Sequence, residues 1–194
     1  MTTSQGRLAT LGGAFDPPHI GHLVVAQEVV DLLDLDTLLV IPAARPPHRA
    51  VTLSAEDRLG LVRGAFAGHE RIEVSDVELR RQGPSFTVDT LRWVRDTYEP
   101  TALTCVIGSD QYAVFETWHE PEEILSLARL GVLNRGGGAG PEPDARFPFV
   151  PLAVPRIDVS STEIRRRLDE GRSIRYLVPE AILDDIMTLW QQTT

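Results

Sequence analysis

The sequence predicts an α/β fold, a parallel sheet with helices on both faces followed by a small helical C-terminal part. Three observations predict it. Short apolar runs alternate with helix-length segments along most of the chain, and every candidate ligand motif falls at or near the carboxyl end of one of those runs. Beyond about residue 158 only helical segments remain.

In chain order, Arg7 to Leu11 reads as a short buried strand, and Leu23-Val24-Val25-Ala26 continuing through Val29, Val30, Leu32 and Leu33 as an apolar helix. Thr37 to Ile41 is a second strand, Glu56 to Phe66 a helix and Arg71 to Val74 a third strand. Phe86 to Thr97 is a helix, Leu103 to Ile107 a strand, Pro121 to Ala128 a helix and Leu130 to Leu133 another strand. Gly136 to Pro143 is the one low-complexity segment and reads as a mobile surface loop, since no helix follows it to make a phosphate loop. Arg165 to Leu168 and Glu180 to Trp190 are the C-terminal helices. The simplest organisation is a single domain over residues 1–194, with a sheet core to about residue 158 and a helical part over 159–194.

Composition narrows the function classes. A chain of 194 residues, 42% hydrophobic and 24% charged, is an ordinary globular sequence large enough for a full core. A net charge of −9, with no basic stripe interleaved with aromatics, argues against nucleic acid as a partner. No apolar run reaches membrane-spanning length and no signal peptide is visible, so the expected location is cytoplasmic, away from the membrane. The one cysteine, Cys105, lies inside an apolar strand and reads as a packing residue. All 19 Lys and Arg residues are arginine, which excludes a P-loop lysine, a pyridoxal-phosphate Schiff base and a lysyl-adenylate ligase. No G-x-G-x-x-G follows the first strand either.

The richest stretch is Gly12-Gly13-Ala14-Phe15-Asp16-Pro17-Pro18-His19-Ile20-Gly21-His22, between the first strand and the first helix. Gly12 and Gly13 are expected to turn the backbone sharply, Asp16 to signal helix entry, and the helix start to offer N–H groups to an anion. His19 and His22 then lie on one turn, within reach of one phosphate, and Gly21 leaves room for a purine or phosphate against the backbone. A pair of solvated helix-start histidines is the plainer alternative. A metal site is disfavoured, because two histidines without an HExxH pattern or a cysteine cluster supply too few ligands.

Far downstream, Val159-Ser160-Ser161-Thr162-Glu163-Ile164-Arg165 starts another helix. Ser160 and Glu163 have capping-box spacing, so the helix should begin at Ser161 with hydroxyls and N–H groups facing outward as an anion seat. Arg165, a turn on, has the planar fork that takes phosphate oxygens bidentately.

These two motifs resemble the GG(T)FDP-x-H-x-GH and I-S-S-T-x-I-R signatures of the nucleotidylyltransferases, which join a nucleoside triphosphate to a phosphorylated acceptor and release pyrophosphate. The resemblance implies a Rossmann-like HxGH nucleotidylyltransferase fold. Ile41 to His48, Val74 to Arg81, Gly83 to Leu91, Ile107-Gly108-Ser109-Asp110, Thr117-Trp118 and Arg175 to Pro179 are similar to the bacterial nicotinate mononucleotide adenylyltransferases, and the likeness spans nearly the whole chain. It implies adenylyl transfer from ATP to nicotinate mononucleotide, a step of NAD biosynthesis. His19, His22 and Arg165 are then the catalytic candidates, and Gly12, Gly13, Ala14, Phe15, Gly21, Ser161 and Thr162 the ATP-binding ones. Ser85, Thr87, Asp110, Trp118 and Arg135 are the acceptor-binding candidates. Trp118 suits stacking on a pyridine ring and Asp110 suits a ribose diol. The implied cofactor is Mg²⁺ carried mainly on the ATP phosphates, with no metal held by the protein, and a homo-oligomer is left open.

The chain departs from that pattern in places. Ala14 stands where the family has Thr, Asn134-Arg135-Gly136-Gly137 replaces R-P-G, His119 follows Trp118 where an aromatic is usual, and Arg49 takes a place often held by Lys. Two alternatives remain open. One is another acceptor: nicotinamide mononucleotide, phosphopantetheine, or a sugar or glycerol phosphate with CTP. The other is a non-catalytic nucleotide-sensing module.

Overall fold

Side chains alternate along each central strand, and in this protein both sets are covered. Leu39 and Ile41 of the second strand join one apolar layer, while Leu38 and Val40 join the opposite one. That double burial is why these strands read as continuous apolar runs rather than alternating ones. The computed structural model describes residues 6–46, 50–135 and 140–193, with the backbone alone at Arg135 and Thr193.

The strands are β1 (Arg7–Gly13), β2 (Thr37–Pro42), β3 (Ile72–Val74), β4 (Ala102–Gly108), β5 (Arg129–Arg135) and β6 (Phe149–Val154). They form one sheet in the order β3-β2-β1-β4-β5-β6, and all five pairings are parallel. The chain winds outward from β1 to β3, crosses back to β4, and winds outward again to β6. Between β1 and β4 the winding reverses, which opens a crevice at their carboxyl ends, where sheets of this kind bind ligands. This is the Rossmann-like α/β architecture the sequence predicts.

One face is covered by α1 (Ile20–Leu32) and part of α2 (Ala55–Ala65), through Val25, Ala26, Val29, Val30 and Val62. The other is covered by α4 (Thr87–Tyr98) and α6 (Pro121–Leu127), through Val88, Leu91, Val94 and Ile124. Two one-turn helices, α3 (Val77–Arg80) and α5 (Ser109–Tyr112), escape the sequence reading because one turn carries no periodic signal. β6 escapes it for a different reason. Pro151 sits in the run opposite Val132, and β6 is the sheet edge, the place where a missing N–H is tolerated.

Beyond β6 come α7 (Ser161–Asp169) and α8 (Leu183–Thr193), the latter preceded by a single 3-10 turn at Glu180–Ile182. Their apolar faces, with Ile164, Ile174, Ile182, Ile186 and Trp190, pack into a cluster that also takes Leu53 and Leu61 from the region of α2. The helical part therefore shares its core with α2. A backbone bond from Ile20 N to Leu177 O (3.0 Å) ties it to the first residue of α1 as well. Among the described residues no helix is long and apolar enough to cross a membrane.

Candidate active site

The sequence expectation of a glycine turn after β1 needs correction. Neither Gly12 nor Gly13 has a left-handed φ; the reversal falls on Phe15 (φ 50°). Gly13 is needed for space, since a Cβ there would lie 2.9 Å from the Phe15 ring, whereas nothing stands within 4 Å of one at Gly12. Phe15 is buried, so only its backbone is available to a ligand. Its ring meets His22 edge-on at 4.8 Å between centroids.

Helix α1 begins at Ile20 with His19 as its N-cap in extended conformation (φ −148°, ψ 170°). The His19 N–H donates to His22 Nδ1 at 3.1 Å, which places the proton of a neutral His22 on Nε2, as a donor. The two imidazoles stack with centroids 3.7 Å apart and planes 26° from parallel. Gly21 also makes space within the protein itself. A Cβ there would lie 3.0 Å from His19 Cε1 and Nδ1, so the missing side chain makes room for the imidazole. His19, Gly21 and Val25 line one wall of a narrow groove whose other wall is Pro155, Ile157 and Val159.

Asp16 is no helix-entry signal, lying before the His19 cap. It is buried, and its carboxylate accepts the N–H groups of Thr52 (2.8 Å) and Leu53 (3.0 Å). Arg165 reaches it from the far end of the chain: its Nη1 donates to the Asp16 carbonyl at 2.6 Å and lies 3.4 Å from the carboxylate. Ser161 Oγ donates to Pro17 O at 2.9 Å. The two motifs are therefore cross-bonded, with the start of α7 against the approach to α1.

At that start the predicted outward-facing hydroxyls are already engaged. Ser160 Oγ accepts Glu163 N (3.1 Å), Ser161 Oγ is bound to Pro17, and Thr162 Oγ1 lies 3.4 Å from Arg165 Nη2. The capping box is half formed, because the Glu163 carboxylate turns to Arg166 and Arg167. Hydrogen bonds from those guanidiniums hold the Glu163 carboxyl below its ordinary value. What α7 offers an anion is its remaining N–H groups and the fork of Arg165.

The acceptor candidates come from other loops at the same edge of the sheet. Ser85 Oγ accepts Arg45 N (3.2 Å), and Ser85 N in turn donates to Arg45 O (3.5 Å), which pins the approach to α4 onto the connection after β2. Thr87 is the first residue of α4. Asp110 lies in α5 directly after β4, with its carboxylate folded over Gly108. Trp118 is half-buried, packed on the α4–α6 layer and 5.4 Å from Phe115. The sequence left His119 without a role; it stacks on Phe86 at 4.3 Å and so joins the Ser85–Thr87 segment to the Trp118 segment. The Arg135 side chain, His48, Arg49 and Gly136 to Ala139 lie outside the described residues.

Arg58 is a residue that sequence reasoning missed. It is 0% exposed and donates to four backbone carbonyls: Leu53 (3.2 Å), Ala14 (2.8 Å), Ala43 (2.7 Å) and Ala44 (3.2 Å). Burial lowers its pKa, against which the charges of Asp16 and Glu56 act. A single arginine in an amphipathic helix gives no local signal that it points inward. Cys105 is buried in β4, and burial pushes its thiol up to about 12, too high for a nucleophile at neutral pH.

Among the described residues no group of three His, Cys, Asp or Glu is placed to hold a metal ion. A larger concavity lined by Val132, Asn134, Gly140, Pro141, Pro143, Phe149 and Pro151 sits beside β5 and β6. Its walls are mostly apolar and prolyl, and it contains none of the paired histidines or helix starts, so the cleft at β1 and β4 is the better candidate for chemistry on phosphates.

Comparison with known proteins assigns the chain to a family. Residues 10–167 match the family described as Cytidylyltransferase-like. The chain is 46% identical over 176 residues to a probable nicotinate-nucleotide adenylyltransferase of Thermus thermophilus, covering 91% of this chain and 94% of the relative. It is 41% identical to a protein of the same name from Pseudomonas syringae pv. tomato, covering 94% and 92%. In fold it resembles the nicotinic acid mononucleotide adenylyltransferase of Plasmodium falciparum solved with NaAD, with a TM-score of 0.76, 18% identity and coverage of 95% and 97%.

Proposed function

Because the chain belongs to the cytidylyltransferase-like family, we propose that it transfers the adenylyl group of ATP to nicotinate mononucleotide, giving deamido-NAD and pyrophosphate. The observation that carries the reading is the bond from Arg165 to Asp16, which brings the second helix start against the first across 149 residues of sequence. The choice of acceptor is supported by the name its 46%- and 41%-identical relatives share.

The chemistry is direct displacement. A phosphate oxygen of nicotinate mononucleotide bonds to the α-phosphorus of ATP, the bond from that phosphorus to the bridging oxygen of the β-phosphate breaks, and pyrophosphate leaves with the electron pair. Charge moves onto the leaving group, so the protein's work is to hold the two reactants in line and stabilise developing negative charge. His22 Nε2, fixed as a donor by the bond at Nδ1, takes a phosphate oxygen, with His19 stacked behind it. Arg165 and the free N–H groups of α7 neutralise the departing pyrophosphate. Ser85, Thr87, Asp110 and Trp118 bind the acceptor. Mg²⁺ carried on the triphosphate would offset its charge, and because it retains several waters it would need few protein ligands.

The test is pyrophosphate release by the purified protein with ATP against a panel of acceptors. Turnover with nicotinate mononucleotide exceeding that with nicotinamide mononucleotide, phosphopantetheine and glycerol phosphate supports the reading. Preference for another member of the panel reassigns the acceptor, and ATP binding without turnover on any member overturns catalysis.

A further inference from the structure

Arg58 bonds loops that serve opposite ends of the cleft. Ala14, which accepts from its Nη1, directly precedes Phe15 and Asp16, the residues that touch His22 and Arg165. Ala43 and Ala44, which accept from Nη1 and Nη2, directly precede Arg45, whose backbone holds Ser85 through two hydrogen bonds. Leu53, which accepts from Nε, itself donates to the Asp16 carboxylate. A buried guanidinium satisfied by carbonyls from two separate connections, the one after β1 and the one after β2, is an unusual use of an arginine, because burying the charge is costly and an apolar residue would pack α2 as well.

We propose that Arg58 is a positioning residue that fixes the spacing between the nucleotide-binding loop after β1 and the acceptor-binding segment at the start of α4. It touches neither substrate. Its planar fork reaches acceptors on separate strands of backbone simultaneously, which an ammonium on a flexible stem does not reproduce. In-line attack demands that the two phosphates be held at a set separation, and rate falls steeply when that separation drifts. The inference rests on the adenylyl-transfer reading above.

The experiment compares wild type with Arg58→Lys, which keeps the charge and loses the fork, and with Leu61→Ala. Leu61 is buried on the same helix in the C-terminal cluster, makes none of the Arg58 hydrogen bonds, and serves as a destabilised control. Steady-state kinetics with ATP and nicotinate mononucleotide are measured alongside thermal melting and ATP binding by calorimetry. Arg58→Lys is expected to raise KM for both substrates together, by about fivefold or more, and to lower kcat by about tenfold. Leu61→Ala is expected to lower Tm with both KM values unchanged. If Arg58→Lys lowers Tm while both KM values and kcat stay at wild type, or if Leu61→Ala moves them equally, Arg58 is a stability residue and the proposal is wrong. Should wild type release no pyrophosphate, the adenylyl-transfer reading fails separately. The Arg58 claim is then decided by ATP affinity alone, and wild-type affinity in Arg58→Lys overturns it.

Discussion

At the junction of α1 and α7, two helix starts from opposite ends of the chain are cross-bonded through Asp16 and Pro17, and the groups proposed to face phosphate are fixed by buried partners. The segments bearing Ser85, Thr87, Asp110 and Trp118 meet differently, through one stack of Phe86 on His119 and the bonds between Ser85 and Arg45, with more of their side chains open to solvent. The difference fits the proposed role of each end. Triphosphate chemistry requires donors aimed before the reaction begins, so that no reorganisation is needed as charge develops. Acceptor choice needs only a pocket of the right shape and polarity, which surface loops can supply on a rigid sheet.

That contrast is broken or sharpened by substitution at each end. The largest effect is expected at His22→Ala, which removes a fixed donor at the phosphates. kcat should fall by about 10²–10³ with the fold intact, as losing one such donor does in other sites. Near-normal turnover of a purified, folded variant would remove His22 from the mechanism.

Asp16→Ala comes next. It strips the buried partner from Arg165 and the acceptor from Thr52 N and Leu53 N, so stability should drop by about 3 kcal/mol in chemical denaturation, in the range for breaking a buried pair. An unchanged midpoint would mean the junction is less tightly built than its bonds indicate.

On the acceptor side, Trp118→Ala should raise KM for nicotinate mononucleotide by about tenfold, the scale of one lost aromatic contact, while KM for ATP stays put. Equal changes in both KM values would show that the two ends are not separable.

The smallest effect concerns Cys105, which belongs to neither end. With its thiol raised to about 12 by burial, the native protein should resist alkylation and keep full activity at pH 8. The sign is that of a group protonated more tightly when folded. Its contribution to stability is complete below the unfolded thiol pKa of about 8.5 and is lost as pH rises from there through about 12. Cys105→Ala should therefore flatten the alkaline limb of a stability profile.

The same division governs what the sequence disclosed. The β1–α1 and β2–α2 units were legible because strands buried on both faces are continuously apolar and the helices between them are long enough to show a period. His19, His22 and Arg165 were legible because rare residue types recur at fixed spacing beside helix starts. Contacts across space were not. That Gly21 gives the His19 ring its space could not be read from the sequence, and the hydroxyls of Ser160 and Ser161 looked free until Glu163 N and Pro17 O engaged them. Asp16 and Arg58 gave no sign of their roles, because their partners are backbone atoms of distant loops, which carry no residue identity to read.

Both helix starts are proposed to act on one polyphosphate, and a double-mutant cycle in kcat/KM for ATP with His22→Ala and Arg165→Ala tests this directly. Groups that grip the same phosphates do not lose their effects independently, so the double variant should be at least tenfold more active than the product of the two single losses allows. A double variant whose loss equals that product would mean that the two helix starts act at separate places, and the shared site would be contradicted.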